Sequence, residues 1–341
     1  MILIVYGTRP EYIKLKSVIK TFQERNIPFK TLFTFQHETL DIPRGDLNCY
    51  PCDPNIANHN RLNYIIRTIG GYLYEYHKAY NFKYVMVQGD TTTALGGALA
   101  AFNLEIPIMH VEAGLRSGDL ENPYPEEGNR KLIDSISKYC FCPRSCDSSN
   151  LLRENSGDFK KYTFVTGNTI NDILPNYICS NKNKILITLH RRENHDILSD
   201  WIESINDLAS KYSWYEFVFI SHPNPKVQEK IHKFNKYITI SKPLDHDILL
   251  KFIAEDVAAI ITDSGGLQEE ACFYQKPVFV CRKTTERSFA GMSLVGDPSN
   301  LNRIFTLFAE NHFKNMPKSN KYEFGDGKAS ERIADIVQTL I

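Results

Sequence analysis

The chain has 341 residues, 42% of them hydrophobic and 23% charged, with 40 basic and 40 acidic side chains and no formal net charge. That composition excludes a disordered chain and a coiled coil. A neutral chain also lacks the global field that holds nucleic acid or an anionic membrane, so neither is an expected partner and any anion must be met by a local site. The length suits two domains, each burying its own core. No apolar run reaches the length of a membrane span. The opening MILIVYGTRPE lacks the basic region and cleavage site of a signal peptide and reads as a first strand. Eight cysteines fit reduced thiols, and a cytoplasmic location is expected. Cys49 and Cys52 have redox or half-zinc spacing, and Cys140, Cys142 and Cys146 lie close together. A zinc site needs a second pair in space. The cysteines are read as structural, and no metal and no cofactor are expected.

Along the chain, short β-rich runs alternate with helical periods. The runs ILIVYG (2–7), KTLFTF (30–35), YVMVQG (84–89), IPIMHV (106–111), YCFCP (139–143) and YTFVTG (162–167) form a first series. After the polar SNKNK the series restarts with ILITLH (185–190), EFVFISH (216–222), YITIS (237–241), VAAIITD (257–263) and PVFVC (277–281). Between them lie EYIKLKSVIKTFQE, TALGGALAAFN and SDWIESINDLASKY, with helical spacing of apolar residues. Alternating strands and helices imply parallel, doubly wound α/β sheets. The restart predicts a first domain over 1–176, a second over 177–324, and a last helix within 325–341 that can pack on either and is placed on the first. In such folds ligands bind beyond the carboxyl ends of the strands.

The unusual residue clusters fall at those ends. GTRPEYIK (7–14) lets Gly7 turn and Pro10 start a helix, with Arg9 and Lys14 within reach of an anion at the helix N-terminus. Solvated basic residues at a turn explain the same stretch. No G-x-G-x-x-G fingerprint is present. In QGDTTTALGG, Asp90 either caps the following helix or faces Glu112, which ends the next strand. Two carboxylates at one sheet edge can be driven apart in proton affinity, as an acid and a base require. In PYPEEGNRKL, Pro125 suits the first helical position and Glu126 and Glu127 the first turn. The i,i+4 pairs Glu126–Arg130 and Glu127–Lys131 are predicted. That chemistry accounts for one glutamate of the pair and leaves Glu112 unexplained.

In the second half, LHRREN sets His190 beside Arg191 and Arg192, neighbours that should keep the imidazole neutral. ITDSGGLQEEA places Ser264, Gly265 and Gly266 where backbone N–H groups can approach a diphosphate, with Glu270 able to accept two ribose hydroxyls. A capped helix with acids in its first turn is the alternative. KTTER brings Arg287 to another strand end.

With these motifs in order, joined by QHE, VTGNTINDIL and GDGKAS, the chain resembles the non-hydrolysing UDP-N-acetylglucosamine 2-epimerases. The resemblance implies two Rossmann-like domains in the GT-B arrangement with a central cleft, a UDP-sugar substrate, no cofactor and a homodimer. It implies acid/base roles for Asp90, Glu112 and Glu126, with His190 beside them. UDP contacts are implied for Arg9, Lys14, Arg130, Ser264, Gly265, Gly266, Glu270 and Arg287. Of the glutamate pair, Glu126 takes the catalytic role and Glu127 is left to the helix. The segment after QHE and the loop after TTER are shorter than is usual in the family. In bacterial members the QHE region belongs to a site for a second, activating UDP-GlcNAc, and Gln36, His37, Arg191 and His222 would be its remnant. The implied reaction is reversible C2 epimerisation of UDP-GlcNAc to UDP-ManNAc; a related UDP-2-acetamido sugar and a GT-B glycosyltransferase are the alternatives.

Overall fold

A computed structural model describes residues 1–37, 42–50, 58–154, 160–180, 183–287, 289, 292–310, 313 and 320–341. The chain divides into two compact units, Met1–Ile173 with Gly325–Ile341, and Leu174–Phe324.

The first unit runs β1 (Ile2–Tyr6), α1 (Arg9–Glu24), β2 (Phe29–Phe33), β3 (Leu47–Asn48), α2 (Asn58–Tyr80), β4 (Tyr84–Gln88), α3 (Thr92–Asn103), β5 (Ile108–Val111), α4 (Glu126–Ile136), β6 (Tyr139–Cys142), α5 (Ser145–Glu154) and β7 (Tyr162–Val165). Its strands form one seven-stranded sheet in the order β3-β2-β1-β4-β5-β6-β7, with every pairing parallel. Strand order reverses between β1 and β4, the place where doubly wound sheets bind ligands. Helices cover both faces, so β1 and β5 are buried along their whole length and read as continuous apolar runs.

The second unit runs β8 (Lys184–Thr188), α6 (Leu198–Lys211), β9 (Glu216–Ile220), α7 (Pro225–Gln228), β10 (Ile238–Ser241), α8 (His246–Asp256), β11 (Val257–Thr262), α9 (Gly265–Phe273), β12 (Val278–Cys281), β13 (Ser293–Gly296) and α10 (Leu301–Ala309). Its six-stranded sheet, β10-β9-β8-β11-β12-β13, is likewise parallel, with the reversal at β8 and β11. The last helix, α11 (Ala329–Gln338), packs Ile333, Ala334 and Val337 into one cluster with Leu15, Val18 and Phe22 of α1. Asp172 caps it, accepting from the amides of Ala329 at 2.9 Å and Ser330 at 2.7 Å.

The strand runs quoted from the sequence all appear, within a residue or two at their ends. The reading named neither β3 and β13 nor α2, α5, α7, α8 and α10. The first has two residues, and β13 carries half-buried residues without clean alternation. In α2, Gly70, Gly71 and a series of tyrosines blur the helical period. Among the described residues no helix is long and apolar enough to cross a membrane.

Candidate functional site

At the end of β1, Thr8 caps α1 and Glu11 completes a capping box. Gly7 has no room for a side chain: a Cβ would stand 2.1 Å from Thr34 Oγ1 and 2.3 Å from Thr93 Oγ1. Glu11, almost wholly buried, accepts from the amides of Gly7 at 2.9 Å and Thr8 at 2.7 Å, and from the Thr91 hydroxyl at 2.5 Å. Burial outweighs these donors and pushes its carboxyl up to about 7. One carboxylate thus ties the β1–α1 turn to the β4–α3 turn. Arg9 is exposed at the first helical position.

β4 and β5 are adjacent, with Gln88 opposite Val111, so Asp90 and Glu112 leave neighbouring strand ends. The helix-cap alternative for Asp90 falls away, because Thr91 caps α3 by accepting from the Ala94 amide at 3.0 Å. Asp90 Oδ2 instead accepts from Arg130 Nη2 at 2.5 Å, and its backbone carbonyl from Asn129 Nδ2 at 2.8 Å. Glu112 is held in the left-handed region at φ 69°, a conformation that costs a non-glycine residue of order 1–3 kcal/mol. Its carboxylate is almost fully buried and accepts from Lys14 Nζ at 2.6 Å and from the Gln88 amide. Lys14 and Arg130, expected on the diphosphate, each also pair with one of the two carboxylates. Behind the pair, His110 is fully buried, with Nε2 2.8 Å from the Gly89 carbonyl and Nδ1 2.7 Å from Asp134, which also accepts from Gly114 N.

Glu126 opens α4 and is half-buried. The expected Glu127–Lys131 pair is not formed. Glu127 turns inward, fully buried, and bonds Arg130 at 2.8 Å, three residues on, while Lys131 stays exposed. A first-turn carboxylate that meets a buried guanidinium and two loop amides has no reason to reach for a solvated lysine.

In the second unit β11 leads into α9, whose first turn is Gly265 and Gly266 with Ser264 as N-cap. A Cβ on Gly265 would stand 2.7 Å from Arg287 Nη1 and 3.5 Å from Arg191 Nη2, so both guanidiniums lie against the N-terminus of α9. Arg287 is held there by Glu269, at 2.9 Å from Nε, and by Glu286. Glu286 and Glu193 both bond Arg282, which is buried. Helix N-terminal amides beside two arginines have the chemistry that suits an anion. Glu270 bonds His246 Nε2 at 2.7 Å, leaving its other oxygen to a further donor.

His190 is half-buried, stacked on His222 with ring centroids 4.8 Å apart. Burial holds its imidazole below the usual range, opposed by Asp263 and assisted by Arg191 and His195. The shift is in the expected direction, but burial is its first cause, ahead of any arginine. Asp263, fully buried, fixes this turn by accepting from the amides of His190 and Arg191, each at 2.9 Å, and from Asn194 Nδ2 at 2.9 Å.

The four residues read as an activator-site remnant divide between the units. Gln36 Oε1 accepts from the Thr93 amide at 2.8 Å, and the His37 amide bonds the Gly7 carbonyl at 2.8 Å. Arg191 lies by Gly265, and His222 against His190. Glu38 and Thr39 lie outside the described residues, as do Ser288, Ala290 and Gly291 of the loop after Arg287, and Cys52. Among the described residues no group of three or more His, Cys, Asp or Glu side chains is placed to hold a metal.

Sequence reasoning missed Glu11, Gln88, Asp263, His246, Glu269, Glu286 and Arg282. Glu11 had a local signal in the Thr8-x-x-Glu11 box, and Arg282 with Glu286 had one in their i,i+4 spacing. Gln88, Asp263, His246 and Glu269 are defined by partners 18 or more positions away.

Two doubly wound parallel units, with carboxylates at the strand ends of one and arginines beside a helix N-terminus in the other, define the α/β class of the protein. A family model described as UDP-N-acetylglucosamine 2-epimerase matches residues 20–338. The UDP-N-acetylglucosamine 2-epimerase of Salmonella borreze is 35% identical over 99% of this chain and 98% of its own. That of Neisseria meningitidis is 36% identical over 100% and 99%. The crystal structure of UDP-GlcNAc 2-epimerase from Neisseria meningitidis bound to UDP-GlcNAc superposes with a TM-score of 0.86 at 33% identity, covering 99% of both chains. That of the Methanocaldococcus jannaschii UDP-GlcNAc 2-epimerase in complex with UDP-GlcNAc and UDP gives 0.80 at 31%, again over 99% of both. The chain belongs to the UDP-N-acetylglucosamine 2-epimerase family, a family of isomerases.

Proposed function

We propose that this protein interconverts UDP-GlcNAc and UDP-ManNAc by eliminating UDP and adding it back after inversion at C2. The observation that carries the reading is the pair Asp90 and Glu112, at the ends of adjacent strands and each with its own cation, in a chain with epimerase relatives. The C2 hydrogen of the sugar has no neighbouring carbonyl to acidify it. Loosening the C1–O bond first builds positive character at C1, and the C2 hydrogen then becomes acidic. UDP departs with the electron pair of the C1–O bond. A carboxylate takes the C2 proton, and the C2–H pair forms the C1–C2 double bond of 2-acetamidoglucal. Reprotonation on the opposite face and return of UDP to C1 complete the inversion. Two faces call for two proton carriers, drawn from Asp90, Glu112 and Glu126.

The departing diphosphate carries the developing charge. The amides of the α9 N-terminus with Arg287 and Arg191, and His190 as a neutral donor, are suited to stabilise it. Glu270 is suited to the ribose hydroxyls, with His246 orienting it. Lys14 and Arg130 act on the carboxylates they hold.

The test is incubation with UDP-GlcNAc in D2O, followed by proton NMR. Deuterium at C2 of both sugars and an equilibrium with UDP-ManNAc are expected. No exchange with UDP-GlcNAc or any other UDP-2-acetamido sugar would overturn the reading.

A further inference from the structure

We infer that Glu127 is the positioning residue of the acid/base machinery, holding Arg130 against Asp90 and the loop after Glu112 against α4; this rests on the epimerase reading above. Glu127 is fully buried, which a carboxylate reaches only when its acceptor capacity is filled. Oε2 accepts from Arg130 Nη1 at 2.8 Å and from the Ser117 amide at 3.0 Å, and Oε1 from the Gly118 amide at 3.3 Å. None of these bonds caps α4, whose N-cap Pro125 makes no side-chain bond. The carboxylate is turned away from its own helix end toward the strand ends.

Its main partner is a fork. Arg130 is buried and spends Nη1 on Glu127 and Nη2 on Asp90, at 2.5 Å. A guanidinium is planar, so fixing one nitrogen fixes the direction of the other. Asp90 is the more exposed end of the chain, its side chain 20% accessible against 0% for Glu127. The buried carboxylate is therefore the anchor and the accessible one is what it aims. Asn129, the residue before Arg130 on α4, bonds the Asp90 carbonyl at 2.8 Å, so two consecutive residues of α4 hold the end of β4. The second grip, on Ser117 and Gly118, holds the segment that leaves Glu112, whose left-handed backbone needs support from outside itself. One buried side chain thus grips the supports of both carboxylates. Displacing reacting groups by about 1 Å is enough to lower rates about 100-fold.

A double-mutant cycle tests this, using Glu127→Gln, Arg130→Lys and the double variant, with kcat, KM, UDP affinity and Tm for each. Glu127→Gln is expected to lower kcat about 10- to 100-fold with KM and UDP affinity near the parent's, and the double variant should be little worse than Arg130→Lys alone. A fully active Glu127→Gln, or losses that multiply, would overturn the inference. A second readout needs no turnover and no sugar. In the parent, the Arg130 Nη groups should give separate nitrogen NMR resonances, slowed in rotation by two carboxylates. In Glu127→Gln they should merge. Unchanged resonances would overturn the positioning role even if the protein epimerises. A parent that epimerises nothing while the resonances merge would overturn the epimerase reading and leave the geometric one standing.

Discussion

At the ends of β4 and β5 each carboxylate has its own cation, Asp90 with Arg130 and Glu112 with Lys14. At the N-terminus of α9 the assignment is reversed, and Arg287 is held by Glu269 and Glu286. Both arrangements rely on the same interaction, a charge-assisted hydrogen bond shielded from water, where it is stronger than at the surface. They differ in which sign is left for a ligand. Under the proposed epimerase reading, the first offers acceptors for protons and the second donors for an anion. A neutral chain achieves this by local pairing, with no need of a global field.

The comparison breaks most readily at the carboxylates. Glu112→Gln or Asp90→Asn is expected to lower kcat about 10²- to 10⁴-fold, the range for a lost acid/base group, with UDP affinity within a few-fold of the parent by calorimetry. Equal losses in UDP affinity would show that the two regions do not divide the work. Next in size, Gly265→Ala places a methyl 2.7 Å from Arg287 Nη1 and should displace the guanidinium. UDP binding should weaken about 10- to 100-fold, the worth of a hydrogen bond to a charged group, while proton exchange at saturating substrate suffers less.

A third effect appears in stability and has a sign. The Glu11 carboxyl is raised by burial to about 7 from an unfolded value of 4.5. Between those values the folded state keeps a proton that the unfolded state has lost, so stability falls as pH rises through that window. Glu11→Gln should remove that slope. Urea titrations at pH 5 and pH 8 should show the parent losing up to about 3 kcal/mol relative to the variant; a parallel pair of curves would contradict it. The smallest change is expected at Glu121, exposed in the loop before α4. Glu121→Gln should leave stability within about 0.5 kcal/mol of the parent, and kcat unchanged.

Much of the site was legible because strand ends are legible. Asp90, Glu112, His190, Ser264 and Arg287 each follow an apolar run, and a doubly wound sheet collects such positions along one edge. Partnership was less so. Glu126 and Glu127 are neighbours with the same local credentials at a helix terminus, and spacing alone sent Glu127 to Lys131. The structure sends it inward, because the helical turn of about 100° per residue aims adjacent side chains in different directions. Only packing decides which direction is the interior.

The sequence by itself determined the class of fold and the acids and glycines at the strand ends, while the strand order and its reversal points came from the structure. It did so because the periods of strands and helices and the chemistry of turns are local. The tertiary structure alone showed that Lys14 and Arg130 pair with carboxylates, that Glu11 joins two turns, and that burial is the first cause of the depressed His190. Those outcomes depend on residues 98, 40 and 80 positions apart meeting in space. Hydrogen bonding and desolvation act over a few ångströms, and no sequence spacing encodes that distance.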